Sequence, residues 1–215
     1  MVELPPFVLF YLAALAAAVL PRRARQVVML AVPLVGGLAL INLAPDLLLR
    51  VAFMDLYLEP LRVDKLSMLF GILFHIGAFI GIVFSLHVDD RSQHVAALLY
   101  AGSAIGAVFA GDLLTLFLFW EMLALTSAFL IFANRTDRAW GAGMRYLVIQ
   151  VLSGVLLLAG ALMLYRHSGS LAFNHIGLNG AGSFLIFIAF GIKCAFPLLH
   201  NWLTDAYPEA TPTGT

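Results

Sequence analysis

Seven long apolar segments follow one another along this 215-residue chain, and they constrain its fold more than any other feature. They cover residues 4–20, 27–44, 66–87, 94–110, 112–133, 144–165 and 183–207. A helix needs about 20 mostly apolar residues to cross a bilayer, with about 17 as the lower limit. Only 11% of the residues are charged, against about 25% in a typical soluble domain. We therefore predict an all-α, polytopic transmembrane bundle of about seven helices whose surface contacts the lipid bilayer.

The connections between these segments are mostly short. Residues 45–64 are the main exception and are expected to form an aqueous connection. Their charged residues are Asp46, Arg50, Asp55, Glu59, Arg62 and Asp64. Residues 167–182 are rich in Gly, Ser and Asn and read as a second exposed loop. Because no soluble domain interrupts the series, residues 1–215 are predicted to form a single transmembrane domain.

The positions of Lys and Arg predict the orientation of the bundle. With the N-terminus outside, seven arginines fall in inner loops and four basic residues in outer loops. The inner set is Arg22, Arg23, Arg25, Arg91, Arg135, Arg138 and Arg145, and the outer set is Arg50, Arg62, Lys65 and Arg166. Cytoplasmic loops carry the excess of Lys and Arg. The pattern predicts an outside N-terminus and a cytoplasmic C-terminus in a bacterial-type inner membrane, with Trp140 and Trp202 at the interfaces.

Several kinds of chemistry leave no pattern in this chain. The net charge is zero, so no overall field favours nucleic acid. The sequence has no HExxH, GxSxG, GxGxxG or P-loop motif. Its single cysteine, Cys194, rules out an internal disulfide and a Cys-based metal site, and is expected to pack as a small apolar residue. We expect no catalytic chemistry, no cofactor and no metal ligands in the chain itself.

Two ionisable residues lie deep inside apolar segments. Glu121 occurs within DLLTLFLFWEMLALTSAFLIF, and Lys193 within LIFIAFGIKCAF. A charge at the centre of a membrane helix costs about 2.5–3.5 kcal/mol on insertion scales. The two residues are therefore expected to pair, directly or through water. Burial disfavours the charged form of each and mutual attraction favours it, so the pair suits proton transfer, although a purely structural salt bridge explains the same pattern.

Pro197 follows Lys193 closely. Proline removes a backbone donor and clashes with the preceding turn, so the last segment is predicted to break there. Broken helices are a recurrent feature of transporter sites, whereas a simple proline kink is the structural alternative.

Two histidines are weaker candidates for proton relays. His75 lies mid-segment in LFGILFHIGAFIG, where a packing role is the alternative, and His200 follows the break at Pro197. The other four are expected to be solvated because they lie at or near segment ends. They are His87, His94, His167 and His175.

Two stretches of the chain resemble a known family. GDLLTLFLFWEMLALTSAFLIF resembles the glutamate-bearing fifth helix of the antiporter-like subunits of respiratory complex I and of Mrp-type multisubunit cation/proton antiporters. FGIKCAFPLLHNWLTDAYPEATPTGT resembles the family's broken seventh helix. The TPTGT run and the threonine of NWLTDAY favour the D-type Mrp subunits.

This resemblance implies that Glu121 and Lys193 form the ion pair of a proton half-channel, without a cofactor. It also implies partner membrane subunits and proton translocation coupled to Na+ exchange. Because family members have about fourteen helices in two inverted repeats, residues 1–215 correspond to an incomplete inverted-repeat fold that ends before the eighth helix. Two alternatives remain: a proton-pumping subunit of an NADH:quinone oxidoreductase, which would make the chain part of an enzyme, and a truncated scaffold that does not transport.

Overall fold

A computed structural model describes residues 4–54 and 56–214, and these residues form eight α-helices and one β-hairpin. The helices are α1 (Pro6–Val19), α2 (Arg22–Ile41), α3 (Lys65–Ser85), α4 (Arg91–Phe109), α5 (Leu113–Phe132), α6 (Asp137–Ser168), α7 (Ala181–Lys193) and α8 (Asn201–Ala206). Five of them, α2 to α6, are long and apolar enough to cross a membrane, and α1 and α7 are shorter apolar helices. The predicted multi-pass helical bundle is confirmed.

Side-chain caps determine where several helices begin. Asp64, Asp90 and Asp112 precede α3, α4 and α5, and each accepts backbone N–H bonds from the first turn. Thr136 does the same for α6. Such caps satisfy amide groups that have no partner within the helix. For this reason α4 and α6 begin before the apolar runs of residues 94–110 and 144–165 that predicted them.

Three apolar cores hold the helices together, and the third joins α5, α6 and α8. The first joins α1 to α4 around Phe10, Met29 and Ile105, all fully buried. The second joins α5, α6 and α7 around Leu157 and Ala189. The helices pack in sequence order from α1 to α7, with an additional contact of α1 against α4. This order brings α5, α6 and α7 side by side.

The connection at residues 45–64 contains a β-hairpin, which an all-α prediction did not include. Its strands are β1 (Leu48–Phe53) and β2 (Leu56–Arg62), and they pair antiparallel. Asp55, one of the charged residues expected there, lies outside the described residues. Leu61 is fully buried, so the connection is not simply aqueous.

The hairpin is anchored to the link between α4 and α5. The Glu59 amide donates to Asp112 Oδ2 at 2.6 Å, and the Gly111 amide donates to Glu59 O at 2.8 Å. The stretch after α6 joins the same layer, because the Phe173 amide donates to Gly111 O at 2.8 Å. Residues 169–180 are therefore a packed connection with a buried Leu171, and not the fully exposed loop that their composition indicated.

At the opposite end of the bundle, ion pairs connect the loops. Arg25 pairs with Asp89 at 3.1 Å, and Arg135 pairs with Asp90 at 3.0 Å. The segment after α7 joins this end through further polar contacts. They include Arg145 to Asp205 at 2.7 Å, Arg138 to Glu209 at 2.8 Å, and the side-chain amide of Asn134 to Glu209 O at 2.9 Å.

The predicted break at Pro197 is confirmed. Helix α7 ends at Lys193, α8 begins at Asn201, and two residues between them, Ala195 and Leu198, have left-handed backbone with φ of 53° and 73°. The Trp202 indole donates to Ile192 O at 2.9 Å. This bond satisfies a carbonyl near the interrupted end of α7, as backbone at membrane depth requires.

Candidate functional site

Lys193 is the last residue of α7, and the helix break places its amine against α5. Lys193 Nζ donates to Trp120 O at 3.3 Å and lies 5.1 Å from the centre of the Trp120 ring. A cation above an aromatic face is stabilised by the ring quadrupole. Trp120 is held in turn, because its indole donates to Ser153 Oγ on α6 at 2.9 Å. Three helices thus determine the position of the ammonium group.

Glu121 is the next residue after Trp120, and its side chain turns towards α6. A Cβ atom at Gly154 would overlap Glu121 Oε1 and would lie 2.7 Å from Cδ. The carboxylate therefore occupies the space that the missing side chain of Gly154 leaves. Glu121 Oε1 is buried and has no hydrogen-bond partner among residues 4–54 and 56–214.

The charges of Glu121 and Lys193 are close along the bundle but are not in direct contact. The ion pairs found within the described part of the chain do not include these two residues, so their charged atoms are more than 4.0 Å apart. The sequence predicted that the two residues pair either directly or through water. This geometry leaves room for the pair mediated by water. At such a separation the two charges still interact through their electric fields, so a change in the charge of one alters the energy of the other.

A cavity of about 610 Å³ adjoins Lys193. Its lining includes Trp120, Ser127, Tyr146, Gln150, Lys193 and Trp202. The Tyr146 hydroxyl and Ser127 Oγ are 2.7 Å apart. A cavity of this size has room for water, since a single water needs only about 10–15 Å³ of probe-occupied volume.

Gln150 is the least satisfied polar group in this cavity wall. Its side chain is completely buried, and neither Nε2 nor Oε1 has a hydrogen-bond partner among the residues that the structure describes. Buried amides without protein partners are usually bonded to ordered water. The arrangement can therefore hold water next to the amine of Lys193.

The two candidate histidines lie apart from this arrangement, since neither is among the cavity-lining residues that the structure describes. His75 is 3% exposed, its Nδ1 is 2.7 Å from Gly71 O, and its ring packs on Phe10 with centroids 5.4 Å apart. A Cβ at Gly36 would lie 2.6 Å from its Nε2, so the ring sits between α1, α2 and α3. His200 is exposed and immediately precedes α8.

Three further expectations from the sequence were wrong. His94 was expected to be solvated but is 1% exposed, because it packs against the turn before α4, with its Nε2 3.4 Å from Ser85 O. Trp202 was expected at an interface but is 7% exposed and bonded to the α7 terminus, whereas Trp140 is 62% exposed. Cys194 was expected to be packed and is exposed.

Sequence reasoning identified the two charges but missed the residues on α6 that surround them. Gln150, Ser153 and Gly154 are 29 to 33 positions from Glu121 in sequence, on the next helix. Only spacing in the sequence indicates part of this set. Tyr146, Gln150 and Ser153 recur at helical intervals and so share a face of α6. A polar stripe within an apolar helix indicates a face turned towards a cavity.

A family model matches the second half of the chain. Residues 110–215 match the family described as "NADH:quinone oxidoreductase/Mrp antiporter, TM". The matched range contains Glu121, Lys193 and the polar stripe of α6.

Curated relatives come from both branches of this family. NADH-quinone oxidoreductase subunit N of Deinococcus radiodurans is 27% identical over 168 residues, which cover 70% of this chain and 34% of the relative. Hydrogenase-4 component B of Escherichia coli K12 is 31% identical, covering 70% and 24%. One Na(+)/H(+) antiporter subunit of Alkalihalophilus pseudofirmus is 28% identical, covering 70% and 21%. The chain thus spans about a third or less of these relatives.

Solved structures show the same fold. A chain of respiratory complex I from Thermus thermophilus superposes with a TM-score of 0.79 at 20% identity, covering 97% of this chain and 48% of that one. A chain of the Mrp complex from Dietzia sp. superposes with a TM-score of 0.82 at 22% identity, covering 97% and 25%. Through residues 110–215, the chain belongs to the NADH:quinone oxidoreductase/Mrp antiporter transmembrane family.

Proposed function

We propose that this chain translocates protons across the membrane in exchange for a monovalent cation, with Na+ as the candidate, as one subunit of a multisubunit membrane complex. The observation that carries the proposal is the position of Lys193. The break after α7 holds its amine 3.3 Å from Trp120 O, beside a cavity that Tyr146 and Gln150 also line, and Trp120 directly precedes Glu121 on α5. A buried lysine exchanges its proton readily because burial disfavours the ammonium form.

In this mechanism Lys193 holds the proton and passes it on, and Glu121 sets the charge state of the lysine. Water in the adjoining cavity connects the amine to the end of the bundle that carries the C-terminal segment. His200, exposed beyond the break, is a candidate relay at that end. His75 stays a weaker candidate, because it packs between α1, α2 and α3.

The proposal includes a placement in the membrane. Residues 1–215 act as one transmembrane domain that corresponds to the N-terminal portion of an antiporter-like subunit. The N-terminus is outside a bacterial-type inner membrane and the C-terminal segment is cytoplasmic. Seven arginines at the end of the bundle that carries Asp89 and Asp90, against four basic residues at the hairpin end, support this orientation.

A second candidate function is proton pumping within an NADH:quinone oxidoreductase. The similarity to the subunit N of Deinococcus radiodurans favours it, since that relative carries the name of this enzyme. The same residues would move the proton, and only the partner subunits would differ. Deletion that makes growth sensitive to sodium favours antiport, and deletion that abolishes quinone-linked proton pumping favours the oxidoreductase.

The decisive experiment replaces each charge in the assembled native complex. Glu121→Ala and Lys193→Ala are compared for proton transport in membrane vesicles with a pH-sensitive dye, after the amount of assembled complex has been measured. Each variant is expected to lower transport by at least about tenfold, because Lys193 carries the proton in this mechanism and Glu121 sets the charge state of that lysine.

The matched controls are Asp46→Asn and Lys65→Gln, which remove exposed charges at the hairpin end. They should leave transport within about twofold of the parent, as surface substitutions usually do. If both buried-charge variants transport at the parental rate in a correctly assembled complex, the transporter proposal fails and the scaffold alternative is correct.

A further inference from the structure

We propose that Gly154 on α6 is a positioning residue for Glu121: its missing side chain forms a notch that receives the carboxylate and fixes its distance from Lys193. The inference deepens the proposed function and rests on it. It assigns a role to a residue whose sequence context, an apolar helix with several small residues, gives no sign of one.

The geometry of the notch is specific to the carboxylate. The three nearest heavy atoms to a Cβ at Gly154 all belong to Glu121: Oε1 in overlap, Cδ at 2.7 Å and Cγ at 3.6 Å. Apart from the glycine's chain neighbours and its own helix backbone, no other heavy atom of the described residues lies within 3.6 Å of this position. Even a methyl group at position 154 would therefore require the end of the Glu121 side chain to move.

The notch does more than let two helices approach. Glycines commonly occur at membrane helix interfaces for close packing alone, and Gly143 on the same helix fits that description. A Cβ at Gly143 would meet only the ring of Phe132, an apolar side chain of α5. At Gly154 the space is taken by an oxygen that is buried and lacks a hydrogen-bond partner within the described ranges.

The Glu121 carboxylate has few alternative positions outside the notch. Leu118 and Leu125, one turn before and after Glu121 on α5, are 50% and 45% exposed, so that side of the helix faces lipid or a neighbouring subunit. Turning the other way brings the carboxylate towards Trp120 and Lys193. Filling the notch would therefore change the separation of the two charges, on which their coupling depends.

The test is a pair of glycine substitutions in the assembled complex. Gly154→Ala is expected to lower proton transport by at least about tenfold per assembled complex, since small displacements of a reacting group have effects of this size. Gly143→Ala is the control at the same α5–α6 interface and should reduce assembly and transport in proportion.

A compensating variant separates positioning from packing. Glu121→Asp withdraws the carboxylate by about 1.5 Å, the length of one C–C bond. It should lower transport in the parental chain but raise it in the Gly154→Ala background, because the shorter side chain leaves room for the methyl group. An effect of Glu121→Asp that is negative in one background and positive in the other would show that positions 121 and 154 interact directly.

The transport and assembly results distinguish the positioning role of Gly154 from the proposed function. The positioning role is wrong if Gly154→Ala transports at the parental rate per complex, or if Glu121→Asp lowers transport equally in both backgrounds. If Gly154→Ala fails to assemble, the double variant must restore assembly, and failure to do so also overturns the role. Full transport by Glu121→Gln would instead overturn the proposed function itself.

Discussion

At the scale of single residues, the site combines charged residues that can be identified from the sequence with neighbouring residues that cannot. Glu121 and Lys193 are conspicuous because each interrupts a long apolar run. Gly154 and Gln150 are not, because their importance depends on which face of α6 meets α5. The packing of α6 against α5 is a property of the tertiary structure. The local sequence pattern of α6 shows a polar stripe but does not show which helix lies opposite it.

Gln150 provides a prediction at this scale. Gln150→Met removes the amide and keeps a flexible side chain of similar length. Because the amide has no protein partner among the described residues, its removal should leave the thermal midpoint of the purified complex unchanged or slightly raised. Proton transport should fall by about tenfold, since water beside Lys193 loses its anchor.

The two measurements are made on the same preparation, so that stability serves as the control for transport. Parental transport by Gln150→Met would show that the amide does not hold the water path. A large fall in the thermal midpoint would show that Gln150 has a structural partner.

At the scale of elements, the sequence predicts helices better than it predicts their ends and connections. The apolar runs located the membrane helices, and Pro197 located the break. The hairpin of residues 48–62 was missed because it is built around tertiary contacts, such as the Glu59 amide with Asp112. Its charged residues are typical of an aqueous connection, and they do not indicate that Arg62 donates to Phe173 O, at 2.8 Å, in the segment after α6.

The break between α7 and α8 depends on a tertiary bond in the same way. Trp202→Phe keeps the aromatic ring but removes the indole donor to Ile192 O. A buried acceptor without a partner costs about 1–3 kcal/mol. The end of α7 should loosen, and the adjacent Cys194 should react faster with a membrane-permeant maleimide, measured as the mass shift of this chain.

Trp140→Phe is the control, because Trp140 is 62% exposed and its ring contacts Phe132 of α5, with centroids 4.7 Å apart. It should leave the rate of Cys194 labelling unchanged. Equal labelling rates in the parent and in Trp202→Phe would mean that the indole bond does not hold the break.

At the scale of the whole molecule, the two ends of the bundle differ in construction. The hairpin end is a layer of backbone hydrogen bonds around Gly111 and Asp112, with few basic residues. The opposite end is held by arginine–carboxylate pairs, among them Arg25–Asp89 and Arg145–Asp205. The positive-inside rule is the basis of the proposal that the second end is cytoplasmic.

This assignment can be tested with cysteines at the two ends in a Cys194→Ala background. Tyr57 is 71% exposed in the hairpin, and Asp137 is exposed at the start of α6. In intact cells, Tyr57→Cys should react with a membrane-impermeant maleimide, and Asp137→Cys should react only after permeabilisation. Inverted vesicles should give the opposite pattern. Labelling of Asp137→Cys and protection of Tyr57→Cys in intact cells would reverse the proposed orientation, and the proposed water path beside Lys193 would then take protons from outside and not from the cytoplasm.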